Sequence, residues 1–361
     1  MNRRRFLQSS AACAAAALTK SMPLRANARS GGGWRTFEVT TRVEVLKPSG
    51  VTRIWVPAAL IRDTPFQKTL ANNFHAEGVP AKFNQDRQNA LGVIAATYPA
   101  NARPVLTVAS RVMLKDYAVD LSTPGRIRPL SPSELDYNLQ PSRYVPTDGI
   151  VKETALKATA GAATDLDKAR AIYDWIVENT FRDPKVRGCG RGDIAALLES
   201  GNLGGKCADL NSLYVGLARS VGLPARHVYG VRVARSEFGY KSLGIPTDIA
   251  THGQHCRAEV YLREHGWVPV DPADVRKVIL EEPPGNRPLS DDMVVRARKR
   301  LFGFWEMNWM AYNFAHDVRL PGSTGEPLIY LMYPQAETSA GRVDPLDPDN
   351  FRYAITAGEI T

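Results

Sequence analysis

The sequence predicts an α+β protein, a strand-rich N-terminal region followed by a mixed region of helices and antiparallel strands. Three observations predict it. Phe37, Val39, Thr41, Val43 and Val45 alternate with polar neighbours, the period of a half-buried strand. Leu210, Leu213, Tyr214, Leu217 and Val221 recur at helical spacing. His255 to Leu262 and Trp267 to Val270 are two alternating runs separated by a turn-length gap, the pattern of a hairpin. Hydrophobic residues make up 44% of the chain against 23% charged, which supplies a packed core and sets disorder aside. At 361 residues, two domains are the natural expectation.

Residues 1–28 read as an export signal rather than as part of the fold. Arg3, Arg4 and Arg5 precede Phe6-Leu7, a mild alanine-rich stretch runs from Ala11 to Leu18, and Ala26-Asn27-Ala28 supplies a small-residue cleavage site. Paired arginines before so weak an apolar stretch predict a twin-arginine (Tat) signal, cut after Ala28, with delivery to the periplasm; an ordinary Sec signal is the alternative. Cys13 is discounted as a lipidation site because Ser10 stands where a large aliphatic residue belongs. Beyond the signal, no run approaches the length of a membrane-spanning helix.

Removing the signal changes the charge argument. The whole chain carries +9, and residues 1–28 hold five cations and no acid, so the mature chain carries about +4. That is too mild for a nucleic-acid partner, which calls for a concentrated basic face. Three cysteines remain, Cys189, Cys207 and Cys256. An odd number in an oxidising compartment leaves at least one thiol to be explained. Cys189 could pair with Cys256, although sequence alone does not decide connectivity.

The elements follow in order. Residues 34–121 read as a small β-sandwich: besides the Phe37–Val45 run, Ile54-Trp55-Val56 and Val105 to Leu114 are strand-like, with prolines punctuating the turns. Residues 122–146 are proline-rich and aperiodic, a surface-packed linker. From 147 to 361 the character is mixed. Helices are expected at Ile150 to Ala160, Leu166 to Asn179 and Asp193 to Glu199, and a fourth from Cys207 to a stop at Gly222. Strands are expected at His227 to Val233, His255 to Leu262 and Trp267 to Val270. A basic helix over Met293 to Arg300, an aromatic stretch from Phe302 to Phe314, and strands at Leu328 to Tyr333 and Phe351 to Ile355 complete the chain.

Chemistry concentrates at Cys207. Gly204-Gly205-Lys206 forms a tight turn directly before an amphipathic run, which places Cys207 at a helix N-terminus, where free amides and the helix dipole favour the thiolate. A buried structural cysteine is the bland alternative. A phosphate loop is excluded, since position 200 is Ser and Cys207 replaces the hydroxyl that would hold Mg²⁺. In the hairpin, small or apolar residues occupy even positions of both strands, so residues of like parity share a face. His255 and Asp271 then lie on one face, and a turn centred near Arg263 sets them directly opposite. An imidazole and a carboxylate so placed form the orienting pair that a cysteine nucleophile uses. Asp274 is the alternative acid.

The glycine turn before Cys207, then Gly222-Leu223-Pro224-Ala225-Arg226 entering a strand, then His255, and then Gly266-Trp267-Val268-Pro269-Val270-Asp271-Pro272 resemble the transglutaminase-like superfamily over roughly residues 150–280. The resemblance implies a papain-like α/β core, with Cys207 as nucleophile, His255 as general base and acid, and Asp271 as orienter. It implies a peptide or protein substrate; no cofactor and no metal ligand set is read from the residues, and calcium dependence is left open. Hydrolysis is favoured over transfer to an amine; a fold that binds without turnover is the competing class. The chain departs from the pattern at Cys256-Arg257, where many members carry a Trp after the histidine.

Other groups read more plainly. His252, His255, Cys256 and Cys189 fit no zinc spacing. His75, His227, His265 and His316 are ordinary histidines. Asp209 complements the helix start. Phe302, Phe304, Trp305, Trp309 and Tyr312 are core in preference to a substrate groove.

Overall fold

The computed structural model describes residues 33–360, so the expected signal and its cleavage site lie outside the described residues. Strands come first: β1 (Arg35–Val45), β2 (Thr52–Pro57), β3 (Gln67–Ala76), β4 (Ala81–Asp86), β5 (Leu91–Tyr98), β6 (Val105–Leu114) and the short β7 (Tyr117–Ala118). Helices α1 (Pro132–Leu139), α2 (Gly149–Ala158) and α3 (Asp165–Asn179) follow, then β8 (Phe181–Arg182), α4 (Ile194–Glu199) and β9 (Gly204–Gly205). Next are α5 (Cys207–Ser220), β10 (Ala225–Arg232), β11 (Gln254–Leu262), β12 (Gly266–Val270), α6 (Pro272–Glu281) and α7 (Asp292–Arg300). The order closes with β13 (Phe304–Trp305), β14 (Trp309–Asn313), β15 (Gln335–Thr338), β16 (Gly341–Val343) and β17 (Phe351–Ile360).

In β1 the alternation acts as expected: Phe37, Val39, Thr41, Val43 and Val45 are buried while their neighbours are not. Two antiparallel sheets, β17-β1-β6-β3 and β16-β15-β2-β5-β4, share a core of Val43, Ile54, Val56, Ile94, Tyr98, Val108 and Phe351. Both are completed by strands from the far end of the chain, since β17 pairs with β1 along ten positions and β15 pairs with β2. The sandwich is therefore assembled from both ends of the sequence.

The second half holds an antiparallel sheet, β12-β11-β10-β14, with α5 packed across β10 and β11 and α2, α3 and α6 around it. All but one of the α5 residues are buried, so it is a central helix rather than a surface one. This arrangement, a central helix on an antiparallel sheet beside a strand-rich sandwich, is the α+β architecture expected from the sequence.

Two sequence expectations change. Leu328 to Tyr333 is not a strand; it makes one bridge, Leu328 to Val318, and the strand begins at Gln335. Leu331, Met332 and Tyr333 are buried as a continuous run without alternation, and Pro334 separates them from the segment that reaches β2. Within 122–146 lies α1, started by a capping box in which Ser131 and Glu134 bond each other's backbone. Pro132 belongs there, because at the first helical position its missing N–H costs nothing.

Candidate active site

Cys207 is the first residue of α5, one residue after the glycine pair of β9, which forms a short strand parallel to β8 in place of the expected tight turn; it is buried rather than exposed, at 3% accessibility. Its backbone amide is in the first turn, where no intrahelical acceptor exists. The next residue ties this turn to the preceding loop, since the Ala208 amide donates to the Cys189 carbonyl at 2.8 Å. Asp209 holds both sides. One carboxylate oxygen accepts from the Lys206 amide at 2.9 Å, and the other from the Arg191 and Gly192 amides at 3.0 and 2.9 Å. Gly190 makes room for it: its φ is +94°, and a Cβ there would fall 1.9 Å from an Asp209 oxygen. Asp209 thus does more than complement the helix dipole.

His255 lies on β11 and Asp271 follows the end of β12. The hairpin register pairs Ala258 with Val270 and Leu262 with Gly266, so the turn centres on Glu264, one residue beyond the expected position. Parity is kept, but Asp271 falls two positions short of facing His255 directly. It has also left the strand and caps α6, accepting from the Asp274 amide at 3.1 Å. From there its Oδ2 meets His255 Nε2 at 2.7 Å. Asp274 Oδ1 stands farther from the same nitrogen, at 3.4 Å. The ring is held from its backbone as well, since Trp309 Nε1 donates to the His255 carbonyl at 2.9 Å. Gly230, opposite His255 on β10, permits this approach; a Cβ there would meet the Met310 carbonyl at 2.2 Å.

Sequence reasoning missed several supporting residues. Asn211, one helical turn after Cys207, donates from Nδ2 to the Cys256 carbonyl at 2.8 Å and to Asp271 Oδ1 at 3.2 Å. A polar residue four positions after the cysteine on an otherwise apolar helix was the available signal. Arg232 clamps Asp274 with two contacts of 2.7 and 2.6 Å, both side chains buried. Arg257 lies beneath Trp305 and Trp309, its guanidinium 5.4 and 4.6 Å from their rings and its Nε 3.7 Å from Asp271. Those tryptophans and Tyr312 are buried, so this part of the aromatic stretch is core. It also explains why β11 is buried on both faces.

The three thiols are free and gather at one place. Hydrogen bonding with Cys189 and then Cys256 holds the Cys207 thiol well below its ordinary pKa; burial opposes this, and His255 reinforces it by hydrogen bond and by charge. Tyr333 donates to Cys189 Sγ at 3.1 Å. Burial would lower His255, but the carboxylates of Asp274 and Asp271 outweigh it and its pKa is raised. Burial, then the Asp274 charge, raises Asp271. Asp274 resists its own burial because Arg232 holds it well below the carboxylate range. The Asp271 and Asp274 carboxylates both face Nε2, which leaves Nδ1 clear of them.

His255, Asp271 and Asp274 could bring one ligand atom each within 4.8 Å of one another. They do not suit a cation: Arg232 occupies Asp274, and Asn211 and the Asp274 amide occupy the second oxygen of Asp271. The site is built to hold a low thiol pKa beside a raised imidazole pKa, with a buried carboxylate fixing the ring.

Residues 152–272, which include Cys207, His255 and Asp271, match the family model of the transglutaminase-like superfamily. An uncharacterised protein of Haemophilus influenzae is 34% identical over 343 residues, covering 90% of this chain and 91% of that protein. The uncharacterised YebA of Bacillus subtilis is 27% identical over 126 residues, 34% of this chain and 17% of its own. Among solved structures, a candidate cysteine protease from Cytophaga hutchinsonii superposes with a TM-score of 0.51 at 16% identity, over 90% of this chain and 98% of that one, a likeness of fold. Among the described residues no helix is long and apolar enough to cross a membrane. With a core that matches the family model and a relative aligned along nearly its whole length, the chain belongs to the transglutaminase-like superfamily.

Proposed function

We propose that the protein is an exported cysteine enzyme that forms an acyl-enzyme at Cys207 and hydrolyses amide bonds of peptides or proteins, or transfers the acyl group to an amine. One observation carries this reading. A thiol with a lowered pKa stands at a helix start beside a histidine whose Nε2 is 2.7 Å from a buried carboxylate. In the proposed reaction the Cys207 thiolate attacks the amide carbon, and the Cys207 backbone N–H stabilises the oxyanion. His255 then gives a proton to the departing amine as the C–N bond breaks, leaving a thioester. His255 takes a proton from water, the hydroxide attacks the thioester, and the acid leaves with the thiolate restored; an amine in place of water gives transfer. Asp271 holds the ring and stabilises its charged form.

The mature chain, residues 29–361, tests this against a panel of peptide amides with and without an added primary amine. Turnover that is lost in Cys207→Ala, with the fold retained by circular dichroism, is expected. Full turnover in that variant, or none in the parent across the panel, would overturn the enzyme reading; the second result fits a binding module. Export by the twin-arginine route is supported by Arg3 to Leu7 and Ala26-Asn27-Ala28. Replacing Arg3 and Arg4 with lysine should keep the precursor in the cytoplasm. Normal delivery of that variant would point to the Sec route.

A further inference from the structure

We propose that the cleft over Cys207 is a carboxylate-binding subsite and that the substrates are acidic peptides, carrying a carboxylate beside the amide that is attacked. This rests on the reading of Cys207 as nucleophile and adds to it the chemical class of substrate. The cleft encloses about 390 Å³, within the range of small-ligand sites. Its walls include Arg182, Arg187, Lys206, Arg232 and Lys277, and neither an aspartate nor a glutamate.

These five cations are not equally neutralised. Arg232 is fully engaged by Asp274 beneath the floor. Arg187 pairs with Asp344 at the rim, both side chains largely exposed, where such pairs are weak. Arg182 and Lys277 share a single carboxylate, Glu281. Among the described residues no carboxylate lies within ion-pair distance of Lys206. Two positive charges are therefore left over inside one concave surface, where low-dielectric walls concentrate their field. The field acts on the cleft's own groups: burial, and next the Arg232 charge, lower the Lys277 ammonium.

The surplus is not accounted for by the thiolate. The leading contributions that lower Cys207 come from Cys189, Cys256 and His255, none of them a lysine or arginine. The cations are instead placed around the space a substrate would fill. Lys206 immediately precedes Cys207, and both line the same cleft. Arg182 uses Nε for Glu281, which leaves its terminal nitrogens to form a two-point contact with a carboxylate. A neutral peptide would have to desolvate these charges without compensation, which is the basis of discrimination.

The test measures binding to the mature Cys207→Ala protein, which cannot turn over. Three probes are titrated by calorimetry: acetyl-Ala-Glu-Ala-amide, its Gln isostere, and acetyl-Ala-Gln-Ala with a free C-terminal carboxylate. At least one carboxylate-bearing probe should bind about tenfold or more tightly than the neutral isostere, with the preference falling as salt is raised. Which of the two is preferred distinguishes a side-chain from a terminal carboxylate. The preference should collapse when Lys206→Gln or Arg182→Gln is added. Equal binding of all three, no binding of either acidic probe at millimolar concentration, or a preference unmoved by both substitutions would overturn the proposal. The underlying reading is tested separately by alkylating the parent protein with iodoacetamide and mapping the modified peptide. Failure of Cys207 to react ahead of Cys189 and Cys256 would count against the nucleophile, whatever the peptides do.

Discussion

Asp271 reaches the His255 ring from the cap of a helix rather than from a strand. Its Oδ2 lies 2.7 Å from Nε2 while its Oδ1 accepts the Asp274 amide that opens α6. One carboxylate therefore sets the orientation of the histidine and the start of the helix that carries Asp274. Asn211 connects the same oxygen to α5, the helix that begins at Cys207.

Asp271→Asn is expected to preserve the cap, because the amide oxygen still accepts from Asp274, but to lose the charge that sustains the His255 cation. Turnover should fall by about 10²–10⁴, toward the lower end because a thiol yields its proton more readily than a hydroxyl. The check is kcat/KM alongside a thermal melt. A variant within threefold of the parent would remove Asp271 from the mechanism.

Cys189→Ala should raise the pKa of the Cys207 thiol, since hydrogen bonding with Cys189 is the leading cause of its depression. The pH dependence of iodoacetamide alkylation at Cys207, read by mass spectrometry, reports this directly. The inflection should move to higher pH, and an unmoved curve would remove Cys189 from the groups that set the thiolate, leaving Cys256 and His255.

Activity should follow a bell-shaped pH profile. The acid limb reports loss of the thiolate as pH falls through the lowered Cys207 value, and the alkaline limb loss of the imidazolium as pH rises through the raised His255 value. The alkaline inflection should therefore lie above that of an ordinary imidazole. A profile whose alkaline limb falls below that value would contradict the assignment.

Arg232→Met leaves Asp274 buried without its partner and should cost about 3–5 kcal/mol of stability. The sign with pH follows from the depressed carboxyl. The stabilisation is present above the unfolded carboxylate value and is lost as pH falls through the lower folded one. Urea unfolding should show the deficit of the variant at neutral pH and a smaller deficit in acid. An equal deficit at both would assign the loss to packing rather than charge.

Gly190→Ala should destabilise the loop against α5. The residue sits at φ +94°, and its Cβ would displace Asp209. A cost of about 1–3 kcal/mol is expected in thermal or chemical unfolding. An unchanged melt would show that the loop relaxes freely.

Much of the local structure was legible from the sequence because local periodicity carries it. The alternation of Phe37 to Val45 and the helical spacing from Leu210 to Leu217 each state which face is buried. The glycines before Cys207 marked the start of α5, and parity alone put His255 and Asp271 on one side of a hairpin. Parity has a period of two, however, and is blind to a slip of two residues, so the register was decided by the turn at Glu264 and by where Asp271 could cap α6. Contacts between distant segments were beyond any periodic signal. The pairing of β17 with β1, Arg232 on Asp274, the gathering of Cys189 and Cys256 around Cys207, and the unshared charge of Lys206 beside Arg182 depend on long loops closing in one geometry. Packing selects that geometry for the chain as a whole, because native contacts support one another across distant segments.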